Sequence, residues 1–330
     1  MSSQAKLKED ISSNSFKNVY IFYGKENYLI DYYIGEMKKK LLDDNTALLN
    51  FTKINNEKEL YKLIDVCEAM PVFAEKKLVI LDSLDIFNSK KKEKKEYVNY
   101  LSDIPDYVCL IVCERDKTLS KQKKLEQNPN ILYVEFKQED EEKLVKWVMA
   151  ILKNSGKNIT KPLASKIVEM CGPHMSDIKG ELDKLILFEP NNVEITDKMI
   201  ESICEKNISS LIFDMMNAIA RKDAKGAYRY FEEMLELKNS VQNIFATLSA
   251  TLRQLILVRE MIDKKNTRAI SSTLGVSSGR AYMLEKDAKK FSYSELAEAL
   301  TLAGEGDVNV RNGIIGAEIA LETVIAKMLG

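Results

Sequence analysis

The chain is poor in the residues that most catalysis and metal binding need. Among 330 residues there is one histidine, one tryptophan, six prolines and 13 glycines. With His174 the only imidazole, a Ser-His-Asp or Cys-His nucleophile has a single candidate base. That residue lies in CGPHMSD, a Gly-Pro turn opening a helix, and reads as a capping or solvated side chain. The five cysteines, Cys67, Cys109, Cys113, Cys171 and Cys204, are odd in number and form no C-x-x-C pair. Structural zinc and a disulfide framework are therefore not expected, and a reducing cytosol is. No run of about 18 apolar residues occurs, so no membrane-spanning helix is expected. The opening MSSQAKLKED lacks the apolar core of a signal peptide. A cationic surplus is missing too: 49 Lys and Arg against 50 Asp and Glu leave a net charge of -1. Nucleic acid would have to be met through a local patch.

What is present is apolar pattern. The chain is 45% hydrophobic, enough for two or three cores. Strand and helix signals alternate over 19–136. Short apolar strands are predicted at 19–23, 47–53, 77–82, 107–114 and 131–136. The helix after the first carries Ile30, Ile34, Met37 and Leu41 on one face, and the helix at 57–70 turns Leu60, Leu63, Ile64 and Cys67 inward. Strands without a wet face, separated by helices, argue for a parallel sheet with helices on both faces. From about 139 only helical signals remain. Thr160 with Pro162, and Thr196, mark helix starts. Ile178, Leu182, Leu185 and Ile186 share one face, as do Ile244, Phe245, Leu248, Leu252, Leu255 and Ile256 in a long helix from Val241.

The first strand ends in Gly24-Lys25, where nucleotide-binding α/β proteins keep a phosphate loop. A working G-x-x-x-x-G-K-[ST] loop supplies wrapping backbone N–H groups, a lysine and a metal-binding hydroxyl. Here the position five before Gly24 is Val19, and Glu26 follows Lys25. A carboxylate there repels phosphate and does not replace the hydroxyl. Asp82, closing LVILD, then reads as a strand-terminating carboxylate, and no cofactor or metal is expected.

Between the helix at 57–70 and the strand at 77–82 stands CEAMPVFAEKK. Met70, Pro71, Val72 and Phe73 are apolar where a connection should be polar. Pro71 stops the helix and biases Met70 to an extended shape. From composition, Val72 and Phe73 fold back as a cap on the sheet. The sharper reading makes them an exposed anchor for a partner's pocket.

At this point the chain resembles the delta subunit family of the bacterial DNA polymerase III clamp loader. The likeness rests on five stretches in family order: VYIFYGKENYLID, EAMPVFAEKKLVIL, YLSDIPDYVCLIV with DKTLSKQKKL, CGPHMSDIKGELDKLILF, and SLIFDMMNAIARKDAKGAYRYFEEML. It implies an α/β AAA+-like domain over 1–140 with a degenerate nucleotide site, an all-α lid over 141–208 and an all-α collar over 209–330. It also implies a cytoplasmic, non-catalytic subunit of the DNA polymerase holoenzyme that binds and opens the sliding clamp (the beta ring). The implied partners are the tau/gamma ATPase subunits, delta-prime and, through the complex, primed DNA. Carried over residue by residue, the clamp-binding wedge is Val72-Phe73, with Met70 and Pro71 shaping its turn. Val72 stands where Leu or Phe is usual, and Glu68 where Gln is common.

Two basic clusters are candidate DNA contacts: Lys90, Lys91 and Lys92, with Lys94 and Lys95 nearby, and Lys121, Lys123 and Lys124. Charge runs of this kind are usually solvated faces, which is the favoured reading, with phosphate contact the lesser one. Residues 267–291 read like a helix-turn-helix around Gly275 with Arg280 on the second helix. A DNA-binding regulator is therefore one alternative, and a degenerate AAA+ ATPase with an unrecognised loop is another. Tyr282, Tyr293 and Arg311 are candidate contacts of the last domain, Trp147 is a core anchor of the lid, and Met215 and Met216 are core filler.

Overall fold

The computed structural model describes residues 2–42, 46–55, 60–82, 87, 91–188, 193–237, 241–276 and 278–330. These form two compact units, Met1–Glu139 and Asp140–Gly330.

The first unit is built on five parallel strands, β1 (Val19–Gly24), β2 (Phe51–Asn55), β3 (Lys77–Asp82), β4 (Val108–Arg115) and β5 (Ile131–Phe136). Their order across the sheet is β2-β3-β4-β1-β5. Its helices are α1 (Ser3–Ser13), α2 (Asn27–Leu41), α3 (Ala47–Asn50), α4 (Leu60–Glu68), α5 (Lys91–Leu101) and α6 (Lys123–Glu126).

Successive strand residues point to opposite faces, and the two cores follow that period. Val19, Ile21 and Tyr23 of β1 join Val79, Leu110 and Val112 under α4 and α5. Tyr20 and Phe22 join Ile80, Ile111 and Phe136 under α1 and α2. Phe22 and Phe136 meet edge to face at 5.1 Å, a geometry worth about 0.5–1.5 kcal/mol beyond its buried area. The Tyr20 hydroxyl donates to Asp10 at 2.9 Å and accepts from the Lys17 N–H at 3.0 Å, tying α1 to the sheet. The doubly covered parallel sheet expected from the apolar strands is thus present.

One expectation fails at β2. Residues 47–50 are a helical turn, and the strand starts at Phe51. ALLN looks like a strand by composition, but Asn50 is the buried residue and Leu48 and Leu49 are exposed. The burial pattern is the inverse of a strand's.

The second unit contains α7 (Glu141–Asn154), α8 (Lys161–Cys171), α9 (Met175–Phe188), α10 (Asp197–Ile203), α11 (Ile208–Ala220), α12 (Ala224–Glu236), α13 (Val241–Asp263), α14 (Ile270–Leu274), α15 (Ser278–Ala288), α16 (Tyr293–Arg311) and α17 (Ala317–Leu329). Among the described residues its sole β feature is one bridge, Asn158 to Glu194. Thr196 caps α10 by accepting from the Met199 N–H at 3.4 Å. Thr160 stands at the cap position of α8 but its side chain makes no cap hydrogen bond. One continuous core runs through α11–α17, with Met215, Met216, Phe245 and Leu252 inside it. Trp147, expected as a lid anchor, is half-buried on α7.

Candidate functional site

At the carboxyl edge of the sheet, the ground where a phosphate loop would lie is taken by the chain's own groups. Gly24 has φ +124°, and a Cβ there would fall 2.1 Å from the Phe136 carbonyl oxygen. The Glu26 N–H donates to that same oxygen at 3.1 Å. Glycine is required for β1 to lie against β5, whatever binds outside. Asp82 is gripped by Arg115 at 2.9 Å and by Lys53 at 3.1 Å, and Arg115 reaches on to Asp31 at 2.6 Å. Burial opposes ionisation of Asp82, but the hydrogen bonds from Arg115 and Lys53 prevail and hold its carboxyl below the usual carboxylate range. The carboxylate that would hold a metal is neutralised internally by an arginine and a lysine.

The apolar turn at 70–73 behaves differently from a loop folded onto its own sheet. Phe73 is 92% exposed, Met70 76% and Val72 41%, with Pro71 half-buried between them. The fold-back expected from composition does not occur. Phe73 also has φ +52°, a left-handed conformation that residues with a Cβ adopt at a cost.

The turn is nevertheless held in place. Asn50, completely buried, accepts from the Val72 N–H at 2.7 Å and donates to the Val72 carbonyl at 2.8 Å. The preceding end of α4 is held as well. Lys77 donates to the carbonyls of Val66 and Ala69 at 2.6 and 2.9 Å, and the Tyr107 hydroxyl donates to that of Glu68 at 3.0 Å. Burial pulls the Lys77 pKa down. Glu68 itself is exposed, its carboxylate accepting from the Tyr100 hydroxyl at 3.2 Å. An exposed aromatic on a fixed base is the geometry of a docking anchor. Asn50, the residue that fixes it, was missed in the sequence. The available signal was a lone amide ending an apolar run.

The basic clusters are only partly visible. Lys90 lies outside the described residues, as do the side chains of Lys91 and Lys92, which open α5. Lys94 donates to the Phe87 carbonyl at 2.7 Å. Lys121 pairs with Glu126 at 3.5 Å, Lys123 is exposed, and Lys124 donates to Asn99 of α5 at 2.9 Å. That last contact brings the segment at 121–124 against the helix that carries the other cluster.

Residues 267–291 do form a short helix, a turn at Gly275 with φ +64°, and a second helix. But the Arg280 guanidinium lies over the Phe213 ring at 4.3 Å. A recognition side chain must reach a base edge, and this one is committed to packing on α11. The regulator alternative loses its key residue. Tyr282 and Tyr293 are exposed, and Arg311 pairs with Asp307 at 2.7 Å. His174 is exposed at the start of α9. All five cysteines are buried thiols, and burial pushes Cys67, Cys109, Cys113 and Cys204 up to about 12. Among the described residues no cluster suited to a metal ion occurs and no helix is long and apolar enough to cross a membrane.

Comparison with known proteins bears on the same elements. The family described as DNA polymerase III, delta subunit, matches residues 20–155, and its C-terminal domain matches residues 209–328. DNA polymerase III subunit delta of Bacillus subtilis is 23% identical over 321 residues, which is 94% of this chain and 92% of that protein. Probable DNA polymerase III subunit delta of Aquifex aeolicus is 21% identical over 300 residues, 87% of this chain and 84% of that protein. The solved structure of the Bacillus subtilis DNA clamp loader delta protein superposes with a TM-score of 0.63 at 21% identity, covering 98% of this chain and 99% of that one.

Proposed function

Because this chain belongs to the DNA polymerase III delta subunit family, we propose that it binds the sliding clamp through Val72 and Phe73 and opens the ring for loading. The observation that carries the reading is the 92% exposure of Phe73 on a turn fixed by Asn50. Burying Val and Phe side chains in a pocket is worth roughly 1.5–3 kcal/mol each. That is enough for a hot spot and little enough to release.

The mechanism is a shift of populations. A closed ring is held at its subunit interfaces. A wedge that fits the open edge better than the closed one favours opening by that difference in affinity and no more. Nothing in this action needs hydrolysis by this chain. The ion pairs at Asp82, with Glu26 after Lys25, support a non-catalytic role. The ATP-dependent work falls to the tau/gamma subunits, with delta-prime completing the loader in the cytoplasm. Within the second unit we assign 141–208 to the lid and 209–330 to the collar, as the family organisation implies. Primed DNA is met through the complex, and the Lys121, Lys123 and Lys124 segment, packed on α5 through Lys124, is the proposed contact of this chain.

Calorimetric titration of the full chain against the sliding clamp from the same cell tests the wedge. Val72→Ala/Phe73→Ala should weaken binding at least about tenfold, equal to about 1.4 kcal/mol, without nucleotide in the cell. Equal affinity for wild type and the double variant would remove the wedge assignment.

A further inference from the structure

We propose that the turn at 46–50 is the second half of the ring-docking surface, with Leu48 and Leu49 packing on the sliding clamp beside Phe73. This rests on the reading of Val72 and Phe73 as the ring anchor. Leu48 is 95% exposed and Leu49 60%, although leucine ordinarily lies inside. They stand in a four-residue helical turn that ends at Asn50. The amide of Asn50 grips the Thr46 carbonyl at 3.1 Å and both backbone groups of Val72. The N–H groups of Leu49 and Asn50 donate to the same Thr46 carbonyl at 3.0 and 3.1 Å. One buried side chain therefore joins the turn at 46–50 to the turn at 70–73. A buried amide is tolerated only when its polar atoms are satisfied. What these bonds hold together is two stretches whose apolar side chains both face outward.

Area points to the same occupant. A specific interface takes about 800 Å² from each partner, and a buried aromatic supplies about 150–250 Å². Phe73 with Met70 and a half-exposed Val72 falls short of that. The adjoining apolar surface fixed to the same base is Leu48 and Leu49. Held to the anchor turn through Asn50, it is placed to meet the same ring.

The test titrates the full chain with the sliding clamp, comparing wild type, Leu48→Ser/Leu49→Ser and Val72→Ala/Phe73→Ala. Circular dichroism melting checks that each variant is folded. Both leucines are exposed, so the serine variant should melt as wild type does. Should it melt lower, the single Leu48→Gln is read instead. We expect the serine variant to bind roughly tenfold more weakly, the loss of covering two leucines in part. Unchanged ring affinity of the serine variant, with the alanine variant weakened, overturns the second half and leaves the anchor standing. Unchanged ring affinity with lost assembly onto other loader subunits overturns it too, assigning the leucines to a neighbouring subunit. A wild-type chain that does not bind the ring overturns both.

Discussion

Phe73 is the residue where conformation and function are in open conflict. Its φ of +52° costs a side chain with a Cβ on the order of 1 kcal/mol, and its ring stays almost wholly in water. Neither feature helps the free chain. Phe73→Gly should therefore melt at or slightly above the wild-type temperature, since relief of the left-handed conformation offsets the extra chain entropy of glycine, about 0.5–1 kcal/mol. The same variant should lose ring affinity. A marked fall in melting temperature would mean that Phe73 packs within the protein. Some of this was legible in the sequence: a Pro and three apolar residues where a connection should be polar. The direction in which they point was not: composition favoured a cap on the sheet, and Phe73 stands in solvent. Asn50, 22 positions away from Val72, fixes the turn through long-range hydrogen bonds, for which the lone amide ending ALLN was the one local hint.

At the scale of elements, strands buried on both faces were the most readable. The segment at 131–136 forms a strand over those same residues, and 77–82 likewise. β2 is the exception because its residues are half-buried or exposed, and Leu48 and Leu49 just before it face outward. The sheet's carboxyl edge was half legible. Glu26 in place of a hydroxyl excluded a working loop, but the Asp31, Lys53, Asp82 and Arg115 cluster is assembled from four separate segments. The folded Asp82 carboxyl lies below the unfolded value of about 3.9. Its contribution is therefore complete above that pH and is lost as pH falls through the folded value. Asp82→Asn should cost about 1–3 kcal/mol at neutral pH, by leaving Arg115 and Lys53 short of an acceptor. It should also flatten the acid limb of the stability curve below about pH 4. Urea midpoints measured across pH check both effects, and acid limbs of equal slope would contradict the ion-pair account.

At the scale of the whole molecule, the chain carries an α/β unit with an ion-paired cluster at Asp82 and a helical unit in which one long core runs through α11–α17. The first unit keeps a parallel sheet covered by helices on both faces and shows an apolar turn outward. In the second, the Arg280 guanidinium of the helix-turn-helix-like segment lies over the Phe213 ring. The lever proposed above, driven by other subunits, would need no more chemistry than this. Ring opening is the central claim, and it can be read directly. A pair of dyes is placed across one subunit interface of the sliding clamp, so that they quench each other while the ring is closed. The full chain in excess, without nucleotide, should relieve the quenching, and Val72→Ala/Phe73→Ala should leave it in place. A wild-type chain that binds the ring with the dyes still quenched, or a double variant that opens it equally well, would contradict the account.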